Sequence, residues 1–358
     1  MRKTIVLTGG GTAGHVSVNL GLIPRLQEDG WAVHYIGSHH GMERDLLADF
    51  PDVPYYSVDT GKLRRSPNWA NLKANVSDLG HVFSGLRQAR QLIRSIAPDI
   101  VFSKGGFVAV PVVSGAARNS VPVIAHESDL TPGLANRLSV PMAKLVLTTF
   151  RETLDYLPKK KGQYLGPIVR DQIQGGLRSQ GLQHFGFSGN KPILVILGGS
   201  SGALTVNEAV WQNVETLLAR FDILHGCGKG KIRPDLQRPG YVQVEFIKEE
   251  MKDVLAMADL IISRAGSNAI FEFLFYRKPM VLIPYRVGSR GDQILNAQAF
   301  VKQGFAETLD DTTMDADDFL RCIDQVWTDR DRYIARQSTF SFGDGLGEIV
   351  RLLNQEKR

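Results

Sequence analysis

This chain of 358 residues has few cysteines and no long apolar run. Its two cysteines, Cys227 and Cys322, form no metal-binding or disulfide pattern, so we expect a reducing compartment. No stretch reaches the about 18 consecutive apolar residues that a membrane-spanning helix needs. The apolar run near the amino terminus is also too short for a signal peptide. We interpret it as a first β-strand and expect a cytoplasmic protein.

Charge of one sign is only slightly in excess, because 42 Lys and Arg face 37 Asp and Glu for a net charge of +5. This balance favours an anionic surface or substrate but is too weak to indicate nucleic acid. The 43% of hydrophobic and 22% of charged residues are typical of a soluble globular protein. The length suits two domains rather than one core.

A glycine-rich turn stands near the start of the chain, in "LTGGGTAGHVSVN" at residues 7–19. It follows a short apolar strand and leads into a helix that ends at Gly30. Its glycines have the spacing G-x-G-x-x-G. Further short apolar strands alternate with helices along the chain, which predicts a parallel sheet covered on both faces.

The same order of strand, glycine turn and helix returns near residue 192, in "PILVILGGSSGALTVN". "DIVFSKGGF" at 99–107 also matches "DLIISRAGS" at 259–267, and "VPVIAHE" at 121–127 matches "KPMVLIP" at 278–284. Three matches in the same order predict two doubly wound, Rossmann-like α/β domains, of residues 1–163 and 164–342. They would join near 158–170, where three lysines are also compatible with a solvated linker.

Four glycine turns follow strands, at 9–14, 104–106, 198–202 and 264–268. Because glycine lets a phosphate approach the N–H groups at a helix start, this recurrence favours a phosphate or pyrophosphate ligand. A nicotinamide cofactor is disfavoured, since no acid ends the second strand and Glu43 comes late. The acids at 315–318 resemble the first turn of a helix more than a metal-binding D-x-D.

The two halves differ at positions that matter for chemistry. His15 aligns with Ala203, and the pair His126 and Glu127 aligns with apolar residues of the second half. A histidine or carboxylate at such a strand end could deprotonate a hydroxyl as a general base. Each could equally cap a helix or lie satisfied in a core, but their presence in one domain favours a catalytic pocket.

The second half offers polar side chains at two helix starts. Ser267, Asn268 and Glu272 lie in "SRAGSNAIFE", where an acid could hold a ribose diol or stabilise the helix dipole. Asp292 and Gln293 in "GDQILNA" could bond sugar hydroxyls or cap a helix.

The segment 62–94 has apolar residues at helical spacing beside a basic cluster. This pattern predicts an amphipathic helix, whose apolar stripe serves core packing or a membrane-surface patch. The residues that would face a membrane are Lys62, Arg64, Arg65, Trp69, Leu72, Leu79 and Phe83.

Six motifs in this order resemble the MurG family of N-acetylglucosaminyltransferases. They are "GGGTAGHV", "SKGGFVAVPVV", "HESDLTPGLANR", "GGSSGA", "SRAGSNAIFE" and "GDQILNA". The resemblance implies an inverting, metal-independent enzyme without cofactor, whose two domains face each other across a cleft in the GT-B fold. The donor would be UDP-N-acetylglucosamine. The acceptor would be the muramyl C4 hydroxyl of lipid I, an undecaprenyl-diphosphate-linked muramyl-pentapeptide.

The resemblance also implies roles for individual residues. His15 and Glu127 would lie in the acceptor pocket as candidate bases, and Thr12, Ala13 and Gly14 would line the sugar and acceptor side of the cleft. Arg170 and Ser200 would contact the nucleotide, and the Ile247 backbone would bind uracil. The residues from Ser267 to Glu272 would hold phosphate and ribose, and Gln293 the sugar hydroxyls. The last helix, within 343–358, would return to the first domain.

The implied location is the cytoplasmic face of an anionic membrane, where the protein would be peripheral and other cell-wall synthesis proteins could be partners. This chain departs from the family pattern at Ala13 and Asp129, and in "AGSNAIFE". Asp129 could add charge near a diphosphate or itself be the base. Two rivals remain open: a UDP-N-acetylglucosamine 2-epimerase of the same fold, and a non-catalytic nucleotide-sugar-binding protein at the membrane.

Overall fold

The computed structural model describes residues 3–60, 69–199, 202–286 and 291–357, and gives the backbone alone for residues 13 and 69–79. The chain forms two compact units. The first consists of Met1–Arg170 and Gly343–Arg358, and the second of Asp171–Phe342.

The first unit is built on a parallel sheet. Its described strands are β1 (Lys3–Thr8), β2 (Trp31–Ser38), β3 (Tyr55–Val58), β4 (Ile100–Ser103), β5 (Val123–Glu127), β6 (Leu145–Thr148) and β7 (Gly162–Tyr164). They lie in the order β3-β2-β1-β4-β5-β6-β7. In this order β2 and β3 lie on one side of β1, and β4 to β7 lie on the other. Ligands of such parallel sheets bind at the carboxyl ends of the strands, next to the point where the strand order changes sides.

Helices cover both faces of this sheet. They are α1 (Ala13–Glu28), α2 (Met42–Leu46), α3 (Trp69–Ile96), α4 (Ala109–Arg118) and α5 (Leu134–Ser139), with 3-10 turns at Leu47–Asp49 and Glu152–Tyr156. Ile5 and Leu7 of β1 pack with α1, whereas Val6 packs with α3 and α4. Because both faces are buried, the strands are continuous apolar runs rather than alternating ones.

The second unit repeats the plan. Its described strands are β8 (Ile193–Leu197), β9 (Asp222–Gly226), β10 (Tyr241–Val244), β11 (Leu260–Ser263), β12 (Met280–Leu282) and β13 (Glu307–Thr308). They lie in the order β10-β9-β8-β11-β12-β13, which matches the first six strands of the first unit. The internal repeat and the doubly wound α/β fold are therefore confirmed.

Eight described α-helices and two 3-10 turns complete the second unit. They are α6 (Arg178–Phe185), α7 (Leu204–Gln212), α8 (Val214–Leu218), α9 (Met251–Met257), α10 (Ser267–Phe275), α11 (Asp292–Lys302), α12 (Ala316–Thr328) and α13 (Arg330–Gln337), with 3-10 turns at Asp171–Ile173 and Pro234–Leu236. The acids at 315–318 begin α12, where Asp315 accepts a hydrogen bond from the Asp318 N–H at 2.7 Å.

The last helix, α14 (Gly345–Glu356), belongs to the first unit, and Leu346, Ile349 and Leu353 are buried in the same core as α1. The division between the units falls after Arg170, later than the predicted boundary at 163. The first unit extends past 163 because β7 pairs with β6 at the edge of the first sheet and Ile168 is buried in the core of that unit. Within the described ranges, no helix is long and apolar enough to cross a membrane.

Candidate active site

The first glycine turn connects β1 to α1. Thr12 is the exposed N-cap residue with an extended backbone, and Gly11 has a φ of +87°. A side chain at Gly9 would stand 2.3 Å from the carbonyl oxygen of His15, so only glycine fits there. The turn therefore leads directly into the amino end of α1, where N–H groups without helical partners favour an anion.

A buried carboxylate, Glu43, holds the backbone of the first glycine turn, a role that the sequence did not indicate. Glu43 of α2 accepts hydrogen bonds from the Ser38 N–H at 2.9 Å, the Ser38 hydroxyl at 2.5 Å and the Gly11 N–H at 3.4 Å. Its side chain is fully buried. This carboxylate therefore holds the backbone of the first glycine turn and of the end of β2.

His15 lies in the first turn of α1 and is half-buried. Its Nδ1 is 3.2 Å from the Gly10 carbonyl oxygen and 3.0 Å from the Thr12 hydroxyl. Because a carbonyl oxygen can only accept, the contact with Gly10 requires the proton on Nδ1. In the neutral form of this tautomer the ring lone pair is on Nε2, where a general base could accept a proton.

The second glycine turn packs against the first. Gly105 and Gly106 follow β4 with φ values of +93° and +83°. A side chain at Gly106 would stand 2.1 Å from the Gly10 carbonyl oxygen, so the two backbones touch. The Lys104 N–H also donates to the Thr8 carbonyl at 2.9 Å. The structure thus joins the predicted turns 9–14 and 104–106 at one edge of the first sheet.

Glu127, at the end of β5, organises the loop that follows it. Its carboxylate accepts hydrogen bonds from the Asp129 N–H at 2.9 Å, the Gly133 N–H at 2.9 Å and the Asn136 amide at 2.8 Å. Burial raises the pKa of the Glu127 carboxyl, and the neighbouring Asp129 carboxyl raises it further. Both oxygens are therefore engaged in holding the loop, while Asp129 itself is half-buried.

A fully buried lysine lies beside this carboxylate. Lys104 donates from Nζ to the Ser128 hydroxyl at 2.8 Å. Burial lowers the pKa of the Lys104 amine, and the charges of Glu127 and Asp129 oppose that shift. His126 is also buried, and burial lowers its pKa well below the usual range, so it is neutral. The end of β5 is thus a buried polar cluster beneath the loop at 128–133.

In the second unit, the turn after β8 contains Gly198, Gly199 and Gly202, while the predicted nucleotide contact Ser200 lies outside the described residues. A side chain at Gly202 would stand 2.1 Å from the Cys227 carbonyl oxygen, so the turn packs tightly on the end of β9. Ala203, the counterpart of His15, is buried and extended. This turn offers backbone groups where the first turn offers an imidazole.

The turn after β11 lies beside an ion pair whose side chains are 11% and 4% exposed. Arg264 bonds the Asp311 carboxylate at 2.7 Å, the Ile283 carbonyl at 3.0 Å and the Thr205 hydroxyl at 3.0 Å. Ser267 is the first residue of α10 and is buried, as is Glu272 one turn further on. Asn268 is half-buried between them. Arg264 aligns with Lys104 in the repeat, and each places a cation under a glycine turn, although Lys104 is fully buried and the Arg264 side chain is 11% exposed.

The remaining predicted side chains lie in loops and at helix starts. Gln293, in the first turn of α11, accepts a hydrogen bond from the Tyr285 N–H at 2.9 Å through Oε1, and Asp292 beside it is half-buried. Ile247 is half-buried in the loop after β10. Arg170 belongs to the first unit, where its side chain lies close to Gly21 of α1.

The predicted membrane face is described only in part. Lys62, Arg64 and Arg65 lie outside the described residues, and for Trp69, Leu72 and Leu79 only the helical backbone is given. Ala13 likewise has its backbone alone, and Gly14 follows it in α1, half-buried. Phe83 is 67% exposed on α3, an unusual degree for a phenylalanine. Among the described residues, no three His, Cys, Asp or Glu side chains converge as metal ligands would.

Comparison with known families assigns both units. The model of the glycosyltransferase family 28 N-terminal domain matches residues 5–148, and that of the family 28 C-terminal domain matches residues 193–348. The fold is shared with the crystal structure of Acinetobacter baumannii MurG, with a TM-score of 0.77, 23% identity and 99% of each chain covered. At that identity the likeness shows the fold alone.

Curated relatives are much more similar in sequence. A protein of Geobacillus kaustophilus is 48% identical over 360 residues, covering 100% of both chains. A protein of Oceanobacillus iheyensis is 54% identical over 308 residues, covering 86% of this chain and 85% of its own. Both are named UDP-N-acetylglucosamine–N-acetylmuramyl-(pentapeptide) pyrophosphoryl-undecaprenol N-acetylglucosamine transferase. The resemblance found in the six motifs is confirmed: the chain belongs to glycosyltransferase family 28 and, within it, to the MurG family.

Proposed function

We propose that the protein transfers N-acetylglucosamine from UDP-N-acetylglucosamine to the C4 hydroxyl of the muramyl unit of undecaprenyl-diphospho-muramoylpentapeptide. This reaction converts lipid I to lipid II in peptidoglycan synthesis. The observation that carries the proposal is the 48% identity, over the whole of both chains, with a relative named for this transfer. The glycine turns at the strand ends of both units support it, because they suit ligands that carry diphosphate.

The transfer is a single displacement with inversion. The acceptor oxygen forms a bond to C1 of the donor sugar from the face opposite the diphosphate. The bond from C1 to the phosphate oxygen breaks, and its electron pair leaves with UDP. The acceptor hydroxyl loses its proton to a base on the protein, since a neutral hydroxyl is a weak nucleophile.

His15 is the base that the geometry favours. Its Nδ1 faces the Gly10 carbonyl oxygen, which leaves the lone pair of the ring on Nε2. Glu127 is a weaker candidate, because its two oxygens accept three hydrogen bonds and it is buried. We assign Glu127 the role of positioning the acceptor loop that includes Asp129. Thr12, Ala13 and Gly14 would then line the pocket next to His15.

The leaving diphosphate needs positive potential as the bond breaks. The amino ends of α7 and α10 supply N–H groups and a partial positive charge, in keeping with a reaction that needs no metal. In this proposal Ser200, Ser267 and Asn268 contact the phosphates and Glu272 the ribose diol. Arg170 contacts the nucleotide, the Ile247 backbone binds uracil, and Asp292 and Gln293 hold the sugar hydroxyls.

The test is incubation of the full chain with UDP-N-acetylglucosamine and a short-chain lipid I analogue, with and without EDTA. We expect UDP release that requires the acceptor and is unchanged by EDTA. Release abolished by EDTA would refute the metal-independent mechanism. An unchanged acceptor would refute the transferase assignment.

The same incubation separates the two rivals. A UDP-N-acetylglucosamine 2-epimerase would convert the donor without any acceptor, and the altered sugar would appear in the acceptor-free control. A binding protein would retain UDP-N-acetylglucosamine in a titration but release no UDP in either reaction. The proposed transferase instead leaves the donor intact until the acceptor is added.

The proposed location is the cytoplasmic face of the membrane, to which the protein attaches peripherally and where lipid I is available. The support is the segment 62–94, in which Lys62, Arg64 and Arg65 precede α3 and Phe83 is exposed on that helix. A basic cluster in the sequence that precedes a helix with an exposed aromatic side chain favours an anionic lipid surface.

Sedimentation with vesicles tests this attachment. We expect binding to vesicles that contain anionic phospholipid, weaker binding to neutral ones, and a loss of severalfold in Phe83→Ser because an apolar contact is removed. Tyr156→Ser, which removes another exposed aromatic side chain of the first unit, is the matched control. Equal binding of Phe83→Ser and the wild type would contradict the assignment of this face.

A further inference from the structure

Each unit buries an asparagine in the helix that follows its first glycine turn. Asn19 lies on α1 and Asn207 on α7, at positions that align in the internal repeat, and both are fully buried. The hydrogen bonds that a buried amide makes offset the cost of removing it from water. The hydrogen-bond partners of Asn19 and Asn207 therefore show which segments hold α1 and α7 in place.

In the second unit the partners form one directed chain of hydrogen bonds. Asn207 donates from Nδ2 to the Cys227 carbonyl at 2.9 Å, so its Oδ1 faces His225 Nε2, at 3.0 Å. An amide oxygen only accepts, which places the ring proton on Nε2. Nδ1 then accepts from the Tyr241 hydroxyl at 2.8 Å. Burial lowers the pKa of His225 to about 3, so the ring keeps this neutral form.

This chain ends at the backbone on which the glycine turn rests. The carbonyl of Cys227 that accepts from Asn207 is also the atom against which Gly202 packs. One hydrogen-bonded path thus runs from Tyr241 of β10 through His225 of β9 and Asn207 of α7 to the Cys227 carbonyl, on which the turn packs. A network with every member satisfied holds its backbone more rigidly than apolar packing alone.

The first unit fastens its turn with different chemistry. Asn19 donates from Nδ2 to the Tyr35 hydroxyl at 3.2 Å, and Tyr35 donates to the Gly9 carbonyl oxygen at 2.6 Å. Tyr35 is fully buried on β2. Here a single tyrosine reaches the first residue of the turn, on the side of the unit that contains His15.

We infer that Asn207, His225 and Tyr241 are positioning residues for the donor's diphosphate, and that Asn19 and Tyr35 play the same part for the acceptor. None of the five is proposed to touch a substrate. They act through the backbone of the two glycine turns, whose N–H groups must already point at the ligand to bind it well. This inference rests on the proposed function, which gives the second unit the donor and the first unit the acceptor.

A pair of matched variants tests it. Tyr241→Phe and Tyr35→Phe each remove one buried hydroxyl from a full-length enzyme whose two substrates are varied independently. Tyr241→Phe should raise KM for UDP-N-acetylglucosamine roughly fivefold, the effect of about one lost hydrogen bond, and leave KM for the lipid I analogue unchanged. Tyr35→Phe should instead raise KM for the lipid I analogue and leave KM for UDP-N-acetylglucosamine unchanged.

A titration with UDP alone separates failure of this inference from failure of the proposed function. If the wild type transfers no sugar, the proposed function fails, yet the affinity for UDP still reports on the second unit. Tyr241→Phe should weaken that affinity and Tyr35→Phe should not. If both variants lower only the melting temperature, and KM and UDP affinity stay at wild-type values, the networks are structural and the inference is overturned. His225→Gln serves as a second variant of the same chain of bonds.

Discussion

His15 and Glu127 both stand at the edge of the first sheet, but their surroundings give them different capacities. The imidazole is half-buried, and its Nδ1 contact with Gly10 leaves the lone pair on Nε2. The carboxylate is buried and accepts three hydrogen bonds from its own loop. Titratable side chains at a strand end are therefore not equivalent, and their hydrogen bonds decide which can take a proton.

Substitution by glutamine should separate the two roles. His15→Gln should lower kcat about 10²–10⁴-fold because it removes the base, with little change in UDP affinity or melting temperature. Glu127→Gln should lower the free energy of unfolding by about 1–3 kcal/mol, because its amide would face a backbone N–H. Steady-state kinetics and thermal unfolding measure both. A wild-type kcat in His15→Gln would contradict the assignment of the base.

Two buried neutral histidines make stability depend on pH. Burial lowers the pKa of His225 from 6.5 to about 3, and that of His126 well below 6.5. Below pH 6.5 the unfolded chain binds protons that the folded chain does not, so the free energy of unfolding falls as the pH falls towards 3. Each histidine contributes at most about 1.4 kcal/mol per pH unit in this window.

Urea unfolding at pH 7 and at pH 5 measures this dependence. We expect the wild type to lose stability between the two values, and His225→Gln and His126→Gln each to lose less. His81→Gln, at an exposed position of α3, should behave as the wild type does. The same loss in all four proteins would show that these buried rings are not its source.

At the scale of elements, the glycine turns after β1 and β8 each pack closely on a neighbouring segment. Gly106 and Gly10 touch through their backbones, so the turns after β1 and β4 form one surface. Gly202 and the end of β9 are fitted together in the same way in the second unit. These contacts explain the glycines at positions 106 and 202, where a side chain would push neighbouring segments apart.

Two alanine substitutions separate the effect of the contact between Gly106 and Gly10 from the effect of backbone strain at a positive φ. Gly106 and Gly30 both have positive φ, +83° and +80°, but a side chain at Gly30 would meet no atom within 4 Å. Gly30→Ala should cost roughly 1–2 kcal/mol of stability and leave kcat intact. Gly106→Ala should cost more and also lower kcat, because it separates the two turns. Equal effects in urea unfolding and kinetics would mean that strain alone matters.

At the scale of the whole molecule, the chain leaves the first unit after Arg170 and returns to it at Gly343. Asp344 caps α14 and pairs with Arg25 of α1 at 2.6 Å. Ile349 and Leu353 are fully buried in the core that α1 shares. The first unit is therefore complete only after the second has been synthesised.

Truncating the buried side chains of α14 should destabilise the first unit, most of which lies far from α14 in the sequence. Ile349→Ala and Leu353→Ala should each lower the free energy of unfolding of the first unit by about 2–5 kcal/mol, because each leaves a cavity in its core. Arg351→Ala, on the exposed side of the same helix, should stay close to the wild type. Hydrogen exchange resolved by segment locates the effect, and unchanged exchange in α1 and β1 would contradict it.

Much of this architecture is predictable from the sequence, because buried parallel strands are short apolar runs and the repeat shows the plan twice. The boundary at 163 departs from the observed division since Gly162–Tyr164, a short polar run, has no apolar signature and becomes a strand only by pairing with β6. The roles of Glu43 and Tyr35 in holding the first turn were not predictable from spacing. Their partners lie on other elements, and the relevant contacts are hydrogen bonds to backbone atoms.

The sequence by itself determined the fold class, the glycine turns and the family, because these depend on local patterns and on motif order. Only the tertiary structure decided which titratable groups are engaged and which cations are buried. It also decided how each turn is fastened to the strand beside it. These properties depend on distances between segments far apart in the chain. The Gly10 carbonyl oxygen holds the ring proton of His15 on Nδ1, and the Glu127 carboxylate is held by hydrogen bonds from its own loop.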